Sequence, residues 1–561
     1  MLTTSNIQHY EKLLEDNPRD ADALHALSIL LAQTQHYAEA LDKVQQAIDI
    51  KPTDASYYNS LGNIFRRLHQ LDQAQSAYQK AIKINSRYAI AHNNLGNVFF
   101  QKNELVSAKK SYEKAIVLKE NYADAYVNLG ILLAKIENDE AAITALQKAI
   151  SINPHLLSAL NQLGDCYLRC EKYEAACDLF SQYVDKNPQS AESQHRLGIA
   201  YFSLHNFDQA KQQFERALTL NHGHNEANQY LANTYLELRD HEKAMHHYFR
   251  QLDINPLFDT YYNLGVLLMM KDRFKDALLY FDEALKINAN DSATHLNCGS
   301  IYLKSNQLEK AVLSYESALQ LNPHDEEIKH ILSAIKQHHT PSNAPSSYVT
   351  HLFDQYAAYY DVHLTQRLEY TVPQKIVDVL QLTFPTLSDL TVVDLGCGTG
   401  LLGELLEPFS KKSVGVDLSE NMLSIAREKN CYHELICADI VDALPRFSSI
   451  DLISAADVFA YLGDLDPVFS AAKQALTKEG LFVFTIEKTI KNDYVLQTSI
   501  RYAHSKKYIE SLCDIHSFEI VCINNIVLRK QRNESVEGYL VVLRNVHEIT
   551  PATGIFKLTQ S

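Results

Sequence analysis

The sequence predicts a multidomain chain: an all-α solenoid made by repeating one helix pair, followed by an α/β domain with a Rossmann-like, seven-stranded sheet. Three observations predict it. A Leu-Gly marker recurs every 34 residues, the periodicity stops in the Pro- and Ser-containing stretch "QHHTPSNAPSS" (337–347), and beyond it short apolar strands alternate with amphipathic helices.

Bulk composition narrows the function classes. A chain of 561 residues exceeds one hydrophobic core, and 46% hydrophobic content is ordinary for a folded protein. A net charge of -16 opposes binding to nucleic acid, whose phosphates require a basic footprint. The N-terminus "MLTTSNIQHYEKLLEDNPRD" has no basic and apolar leader regions, and no apolar run reaches the ~18 residues of a membrane span, so a cytoplasmic protein is expected. The nine cysteines include no C-x-x-C pair, and Cys166, Cys170 and Cys177 lack a histidine or fourth cysteine to complete a metal set; no metal is expected.

The marker stands at Leu61-Gly62, Leu95-Gly96, Leu129-Gly130, Leu163-Gly164 and Leu197-Gly198, and its phase continues at Leu27, Leu231, Leu264 and Cys298 with one single-residue deletion. Thirteen positions after each marker stands alanine: Ala40, Ala74, Ala108, Ala142, Ala176, Ala210, Ala244, Ala277 and Ala311. Seven residues further alanine is again usual, with Tyr183 and Gln251 as departures, and bulky residues such as Tyr78, Phe180 and Phe281 fill the slot between. This small-large-small pattern resembles the tetratricopeptide repeat, although the chain has no tryptophan. The resemblance implies a right-handed solenoid over residues 1–338, whose first helices line a concave groove for a protein or peptide. Tyr10, Leu14 and Pro18 match half of one more unit, and residues 325–337 read as an amphipathic cap with Ile328, Ile331, Leu332 and Ile335 inward. Asn94, Asn128, Asn263 and Asn297 precede their markers, with Gln162 at a fifth, and can form an amide ladder for an extended peptide; Arg196 and Tyr230 interrupt it. The same asparagines can equally decorate a solvated helix face.

Downstream of a linker at 339–347, a domain at 348–548 precedes a tail at 549–561. Its strands "LTVVDLG", "SVGVDLS", "ELICADI", "IDLISAADVF" and "GLFVFTIE" alternate with helices, and "FEIVCINNIVLR" and "GYLVVLRNV" supply two late strands. The loop "VVDLGCGTGLLG" (392–403) admits two readings. Gly398, Gly400 and Gly403 spell a dinucleotide fingerprint, whereas Asp394, Gly396, Gly398 and Gly400 spell D-x-G-x-G-x-G. Asp394 at the strand end would repel a pyrophosphate but suits the ammonium and sulfonium of S-adenosylmethionine, so the second reading is preferred and Gly403 becomes a close-packing position. Asp417 ends the next strand, where a carboxylate can accept both ribose hydroxyls. Met422 can pack on adenine or in the core, and Asp439 can accept from the adenine amino group or shape a turn.

Taken in order, these residues resemble those of a class I S-adenosylmethionine-dependent methyltransferase. "APSSYVTHLFDQYAAYYDVHL", "AADVFAYLGDL", "RYAHS" and "EGYLVVLR" extend the resemblance to the bacterial family of methyltransferases fused to tetratricopeptide repeats. That resemblance implies a lid helix carrying Phe353, Tyr356 and Tyr360; a helix merely docked on the domain has the same pattern.

Methyl transfer from a sulfonium needs alignment and exclusion of water more than a base. Where a base is needed, His504, read near the start of the helix after the fifth strand, is the candidate. Asp457, Tyr461 and Asp464 follow the fourth strand, and Asp457 or Tyr461 can orient the acceptor or only shape the loop. Arg501, Arg529 and Arg532 can clamp an acceptor carboxylate or phosphate. "SAADVFAY" stands where enzymes acting on DNA bases or glutamine amides resemble one another in N/D-P-P-Y, which disfavours those substrates. The reading is therefore a methyltransferase acting on oxygen or nitrogen, with repeats that recruit a protein. The alternatives are a non-catalytic adaptor with a cofactor-binding or degenerate domain, and an NAD-dependent oxidoreductase.

Overall fold

The computed structural model describes residues 2–337, 340–357, 360–362, 364, 368–491, 493–531 and 534–546. Arg532 and the tail at 549–561 lie outside the described residues. The chain forms two compact units, Met1–Lys271 and Asp272–Ser561.

The first unit consists of helices from Leu2–Asp16 to Phe258–Met270, paired as in Ala55–Arg67 with Leu71–Ile84. The small positions do what the spacing predicts: all nine alanines after the markers, in both units, are 0% exposed. The marker glycine makes room for a ring, since a Cβ on Gly62 would lie 2.6 Å from the Tyr78 ring, and Gly96, Gly164 and Gly198 stand likewise against Tyr112, Phe180 and Phe214. Each turn between paired helices of the first unit contains a left-handed residue in the same phase, Gln35, His69, Asn103, Glu137, Glu171, His205 and Arg239, and the second unit has left-handed Asp272 before Phe274–Ile287 and Asn306 before Leu308–Leu321. None is glycine, so each bears a cost of about 1 kcal/mol that the chain reversal requires, and composition gave no sign of it.

In the second unit, Phe274–Ile287, Ser292–Lys304 and Leu308–Leu321 precede the cap, α1 (Glu326–Lys336). Asp325 accepts from the Ile328 N–H to start α1, and left-handed Gln337 ends it. Ile328, Leu332 and Ile335 are buried as expected. Next come α2 (Ser346–Tyr356) and α3 (Val372–Thr383), and then a mixed sheet of β1 (Leu390–Leu395), β2 (Ser410–Asp417), β3 (Glu434–Cys437), β4 (Ile450–Ala455), β5 (Leu476–Thr489), β6 (Tyr494–Leu496), β7 (Tyr502–Ser505), β8 (Phe518–Gln531) and β9 (Glu534–Asn545). Interspersed are α4 (Leu401–Leu406), α5 (Glu420–Lys429), α6 (Ile440–Ala443), α7 (Asp466–Ala475) and α8 (Lys506–His516).

The sheet order β3-β2-β1-β4-β5-β7-β6, with β9 antiparallel to β5 and β8 on β9, contains the seven expected strands and adds the hairpin β6/β7. The fifth strand runs 14 residues, and its last three, Glu487 to Thr489, pair with Ala503 to Ser505. "RYAHS" is therefore strand leading into α8, which corrects the expectation that His504 begins that helix. Alternate strand residues serve two cores: Val393, Leu395, Ile453 and Phe482 meet α7 and α8, whereas Val392, Leu452, Leu481 and Val483 meet α3 and α4. Parallel strands covered on both faces leave the loops at their C-terminal ends as the place for a site.

Gly62→Ala should destabilise the first unit by about 1–3 kcal/mol, because the new methyl overlaps a fully buried ring. Urea titration checks this, and an unchanged midpoint contradicts it.

Candidate active site

The loop after β1 is shaped by its glycines. Gly396, Gly398 and Gly400 have φ of +62°, +54° and +88°, and Gly400 caps α4. A Cβ on Gly398 would meet only a Tyr360 ring carbon, at 3.8 Å, so its surface is open to a ligand; one on Gly396 would strike Val458 at 2.5 Å. Gly403, expected as a close-packing position, is one: a Cβ there would lie 2.3 Å from the Tyr432 ring.

Asp394 is 2% exposed. Its carboxylate accepts from the Tyr432 hydroxyl at 2.6 Å and the Ser454 hydroxyl at 2.7 Å. Burial pushes its pKa up to about 6 despite those two donors. Asp417 accepts from the Gly398 N–H and the Ser419 N–H, both at 2.9 Å, and burial raises its pKa as well. Asp439 caps α6 by accepting from the Val441 N–H at 2.9 Å, and its other oxygen accepts from the Ser346 hydroxyl at 2.9 Å.

Gly396, Gly398, Asp417 and Asp439 line one cavity, joined by Leu418, Ile440, Asp457, Val458, Tyr461 and Leu462 after the strands and by Ala344, Ser346, Val349, Phe353 and Tyr360 before β1. A smaller space against the same loop is lined by Asp394, Thr399 and Leu401. The charged side chains described in the larger wall are Asp417, Asp439 and Asp457; no described lysine, arginine or histidine lines it.

Four sequence expectations require correction. Met422 is buried at the third position of α5 and is not among the cavity residues, because the Ser419 cap starts the helix there and turns the side chain into the core; Leu418 and Ile440 supply apolar cavity surface instead. His504 is 0% exposed, is absent from the cavity wall, and its Nε2 donates to the Gly463 carbonyl at 3.0 Å. Burial lowers its pKa to about 4, so it is a neutral prop for the loop before α7. Tyr356 is 43% exposed and stands outside the cavity, unlike Phe353 and Tyr360 on the same stretch.

The fourth correction concerns the arginines. Arg501 donates to Glu487 at 2.7 Å, Asp457 at 2.9 Å and the Tyr461 hydroxyl at 3.0 Å, while Arg529 donates to Glu487 at 2.5 Å and Asp457 at 3.3 Å. Two cations and two anions close on each other, so neither arginine is a free clamp for an acceptor anion. Asp457 holds φ +61° while doing this, a strained conformation of the kind that gathers at functional sites. Asp464 accepts from Tyr508 at 3.0 Å and shapes the loop before α7. Tyr432, Ser454 and Glu487 had no local sequence signal, since each is recruited from a different strand or loop.

In the repeats, the expected ladder asparagines are half-buried and bonded to one another's neighbours. Asn94 donates to Asn59 at 3.0 Å, Asn128 to Asn93 at 2.9 Å and Asn263 to Asn233 at 3.3 Å. Asn297 sits half-buried at the equivalent place in Ser292–Lys304. At the interruptions Arg196 pairs with Asp165 and Glu192, and Tyr230 stacks on Phe214 with ring centroids 5.6 Å apart.

A mixed sheet whose first strands run parallel, with an acidic, glycine-shaped loop after β1, defines a methyltransferase-like α/β domain. A family model described as a methyltransferase domain matches residues 393–484. Models described as TPR or tetratricopeptide repeats match stretches from 7 to 325. The chain is thus a tetratricopeptide-repeat array fused to a methyltransferase domain. A protein carrying a methyltransferase name in Geobacillus sp. (strain WCH70) is 30% identical over 155 residues, 26% of this chain and 62% of the relative. A malonyl-[acyl-carrier protein] O-methyltransferase of Bacillus anthracis is 23% identical over 28% of this chain and 56% of its own length. A ubiquinone biosynthesis O-methyltransferase of Glaesserella parasuis serovar 5 (strain SH0165) is 26% identical over 21% of this chain and 58% of its own. The chain therefore spans less than two thirds of each of these relatives. Among solved structures, that of YrrB, a TPR protein with an unusual peptide-binding site, is 27% identical, covering 33% of this chain and 95% of that one with a TM-score of 0.30. Among the described residues no helix is long and apolar enough to cross a membrane.

Two outcomes follow from the buried charges. The folded chain retains the Asp394 proton between about pH 4 and 6, where the unfolded chain has lost it, so stability falls as pH rises through that window and the deficit is complete above it. Asp394→Asn should remove about 2–3 kcal/mol of that decline, read from urea midpoints at pH 4.5 and 7; an unchanged slope contradicts the assignment. Arg529→Leu, which strips one cation from two buried carboxylates, should cost about 3–5 kcal/mol in the same assay.

Proposed function

We propose that the chain is an S-adenosylmethionine-dependent methyltransferase acting on an oxygen or nitrogen acceptor, with a repeat array that recruits a protein. The observation that carries this reading is the sign of the cavity wall, where Asp417 and Asp439 stand with no described cationic side chain in the wall, while Asp457 is neutralised from behind by Arg501 and Arg529. A cofactor with an ammonium and a sulfonium suits that field, and a pyrophosphate does not. Asp417 and Asp439 keep lone pairs for ribose hydroxyls and an adenine amino group, and open Gly398 lets backbone approach the ligand. The cofactor supplies an electrophilic methyl group; the protein's part is to align the acceptor and exclude water.

On the acceptor side, Tyr461 and Asp457 are the candidates to orient the nucleophile. The Tyr461 oxygen accepts from Arg501, so its own proton is left to point elsewhere, and burial keeps that phenol protonated. Arg501 and Arg529 hold Asp457 in place without facing the cavity themselves. No base is assigned to His504. Two of the relatives are named O-methyltransferases, which supports an oxygen acceptor here. For the repeats, Asn94, Asn128, Asn263 and Asn297 remain the proposed peptide contacts, with their carbonyl oxygens as acceptors for a peptide N–H.

Calorimetry with S-adenosylmethionine tests the reading. The wild type should bind and Asp417→Ala should bind at least tenfold more weakly, about 1.4 kcal/mol; no wild-type binding refutes it, and binding without transfer to any component of a cell extract favours the adaptor alternative. Because a cation beside Asp394 favours its ionised form, binding at pH 6 should release a proton that is absent at pH 8, seen as a buffer-dependent enthalpy only at the lower pH. Changing the four asparagines together to alanine should reduce capture of a protein partner without altering cofactor affinity; equal capture discards the ladder.

A further inference from the structure

The cap of the repeats and the cavity are joined by a segment whose composition reads as a linker, yet it is tied down at successive residues. The Tyr502 hydroxyl donates to the Pro341 carbonyl at 3.0 Å. Ser342 accepts from the N–H groups of Gly463 and Asp464 at 2.7 and 2.8 Å, Asn343 bridges Leu462, and the Ala344 N–H donates to the Tyr461 carbonyl at 3.0 Å. Ala344 and Ser346 are then part of the cavity wall, and Ser346 holds Asp439.

Helix α2 continues from this segment with two working faces. Ser346, Val349 and Phe353, spaced by three and four residues, face the cavity, and Asp354 accepts from the Ser419 hydroxyl at 2.5 Å. Tyr348 and His351 meet α1 instead. The Tyr348 ring lies 5.5 Å from that of His330, which lies 5.9 Å from that of Tyr502, and His351 pairs with Glu327 at 2.9 Å. Ala334 is buried in a cluster with Leu496, Ile500 and Tyr502, against which Ile331, Ala344 and Tyr348 pack, and the Gln337 amide donates to the Leu496 carbonyl at 2.8 Å.

His330 is the unusual member. It is 2% exposed and both ring nitrogens are buried without a hydrogen-bond partner among the described residues. An imidazole in that state contributes only its flat shape, at the cost of a desolvated polar group. A site that retains it depends on that shape.

We propose that α1, the cap of the repeats, positions the wall of the cofactor cavity, with His330 and Ala334 as positioning residues that act through Tyr348 and the 341–346 segment. The proposal rests on the reading that this cavity holds S-adenosylmethionine. It makes the last part of the array a structural component of the site, beyond any role in recruiting partners.

The test uses the full chain. Calorimetry with S-adenosylmethionine on the wild type comes first, since absence of binding defeats the cofactor reading and this proposal with it. Given wild-type binding, His330→Ala and Ala334→Leu should weaken it about tenfold, whereas His330→Phe, which keeps the flat ring, should restore affinity. Ala284→Val, a buried change in Phe274–Ile287 that leaves α1 alone, should lower stability without changing affinity. Equal affinity in the α1 variants, or an equal loss in Ala284→Val, overturns the proposal. Hydrogen exchange on the wild type decides the matter even where a variant does not fold: S-adenosylmethionine should slow exchange in both α1 and α2, and protection confined to α2 overturns it.

Discussion

The site depends on the pair of backbone hydrogen bonds received by Asp417. One oxygen takes the Gly398 N–H and the other takes the Ser419 N–H, so a single carboxylate clamps the loop after β1 to the turn after β2. Removing a carboxylate from water is expensive unless donors replace the water, and two backbone donors do so without any side-chain entropy. The left-handed glycines follow from the same demand, because the Gly398 N–H reaches Asp417 only when the loop turns as it does. Asp394 is fixed by the same logic with two hydroxyls, from Tyr432 and Ser454. Together the two carboxylates fix the floor against which the third and fourth strands place their own loops.

The rest of the acidic wall is balanced differently. Asp457 meets two arginines and shares them with Glu487, so four charges are buried with no net charge among them. Such a set adds little stability over an apolar replacement, but removing one member strands the others. Its effect is geometric: it holds Asp457 in a left-handed conformation and brings Tyr461 to the cavity. The pattern of one neutralised and two backbone-clamped acids separates the acceptor side from the side expected to take adenosine.

Legibility from sequence followed the range of the interactions. The repeats are readable residue by residue, because each small position faces a large one at fixed spacing within the next helix, and the glycine at 403 marks close packing even though its neighbour Tyr432 lies 29 residues on. Gly396, Gly398, Asp417 and Asp439 were equally readable, since strand ends put them on one rim, whereas Gly400 lies off it against Cys431. Contacts across the sheet were not readable. Nothing near His504 in sequence says that the long end of β5 will claim its backbone, or that Gly463 will take its ring N–H. Met422 failed for a local reason, because the Ser419 cap sets the helix phase and a shift of one residue would have pointed it elsewhere. Pro, Ser and Asn make residues 339–347 read as a linker, whereas backbone groups of Pro341, Ser342 and Ala344 are taken by the chain beside them.

The left-handed corner residues of the repeats have a consequence for how this chain can vary. Gln35, His69, Asn103, Glu137, Glu171, His205, Arg239, Asp272 and Asn306 are all exposed, and their side chains include acids, amides, imidazoles and a guanidinium. Their backbone is set by the helices on either side, and their side chains stand at the surface, where Asn103 accepts from Lys135 and His205 packs against Phe207. An exposed corner is therefore a place where surface charge can be exchanged at little cost to the buried positions of the stack, and glycine, though it would relieve the strain, would give up that freedom. The array thus separates two kinds of inheritance: an interior that must keep its sizes, and a set of corners free to be rewritten one repeat at a time.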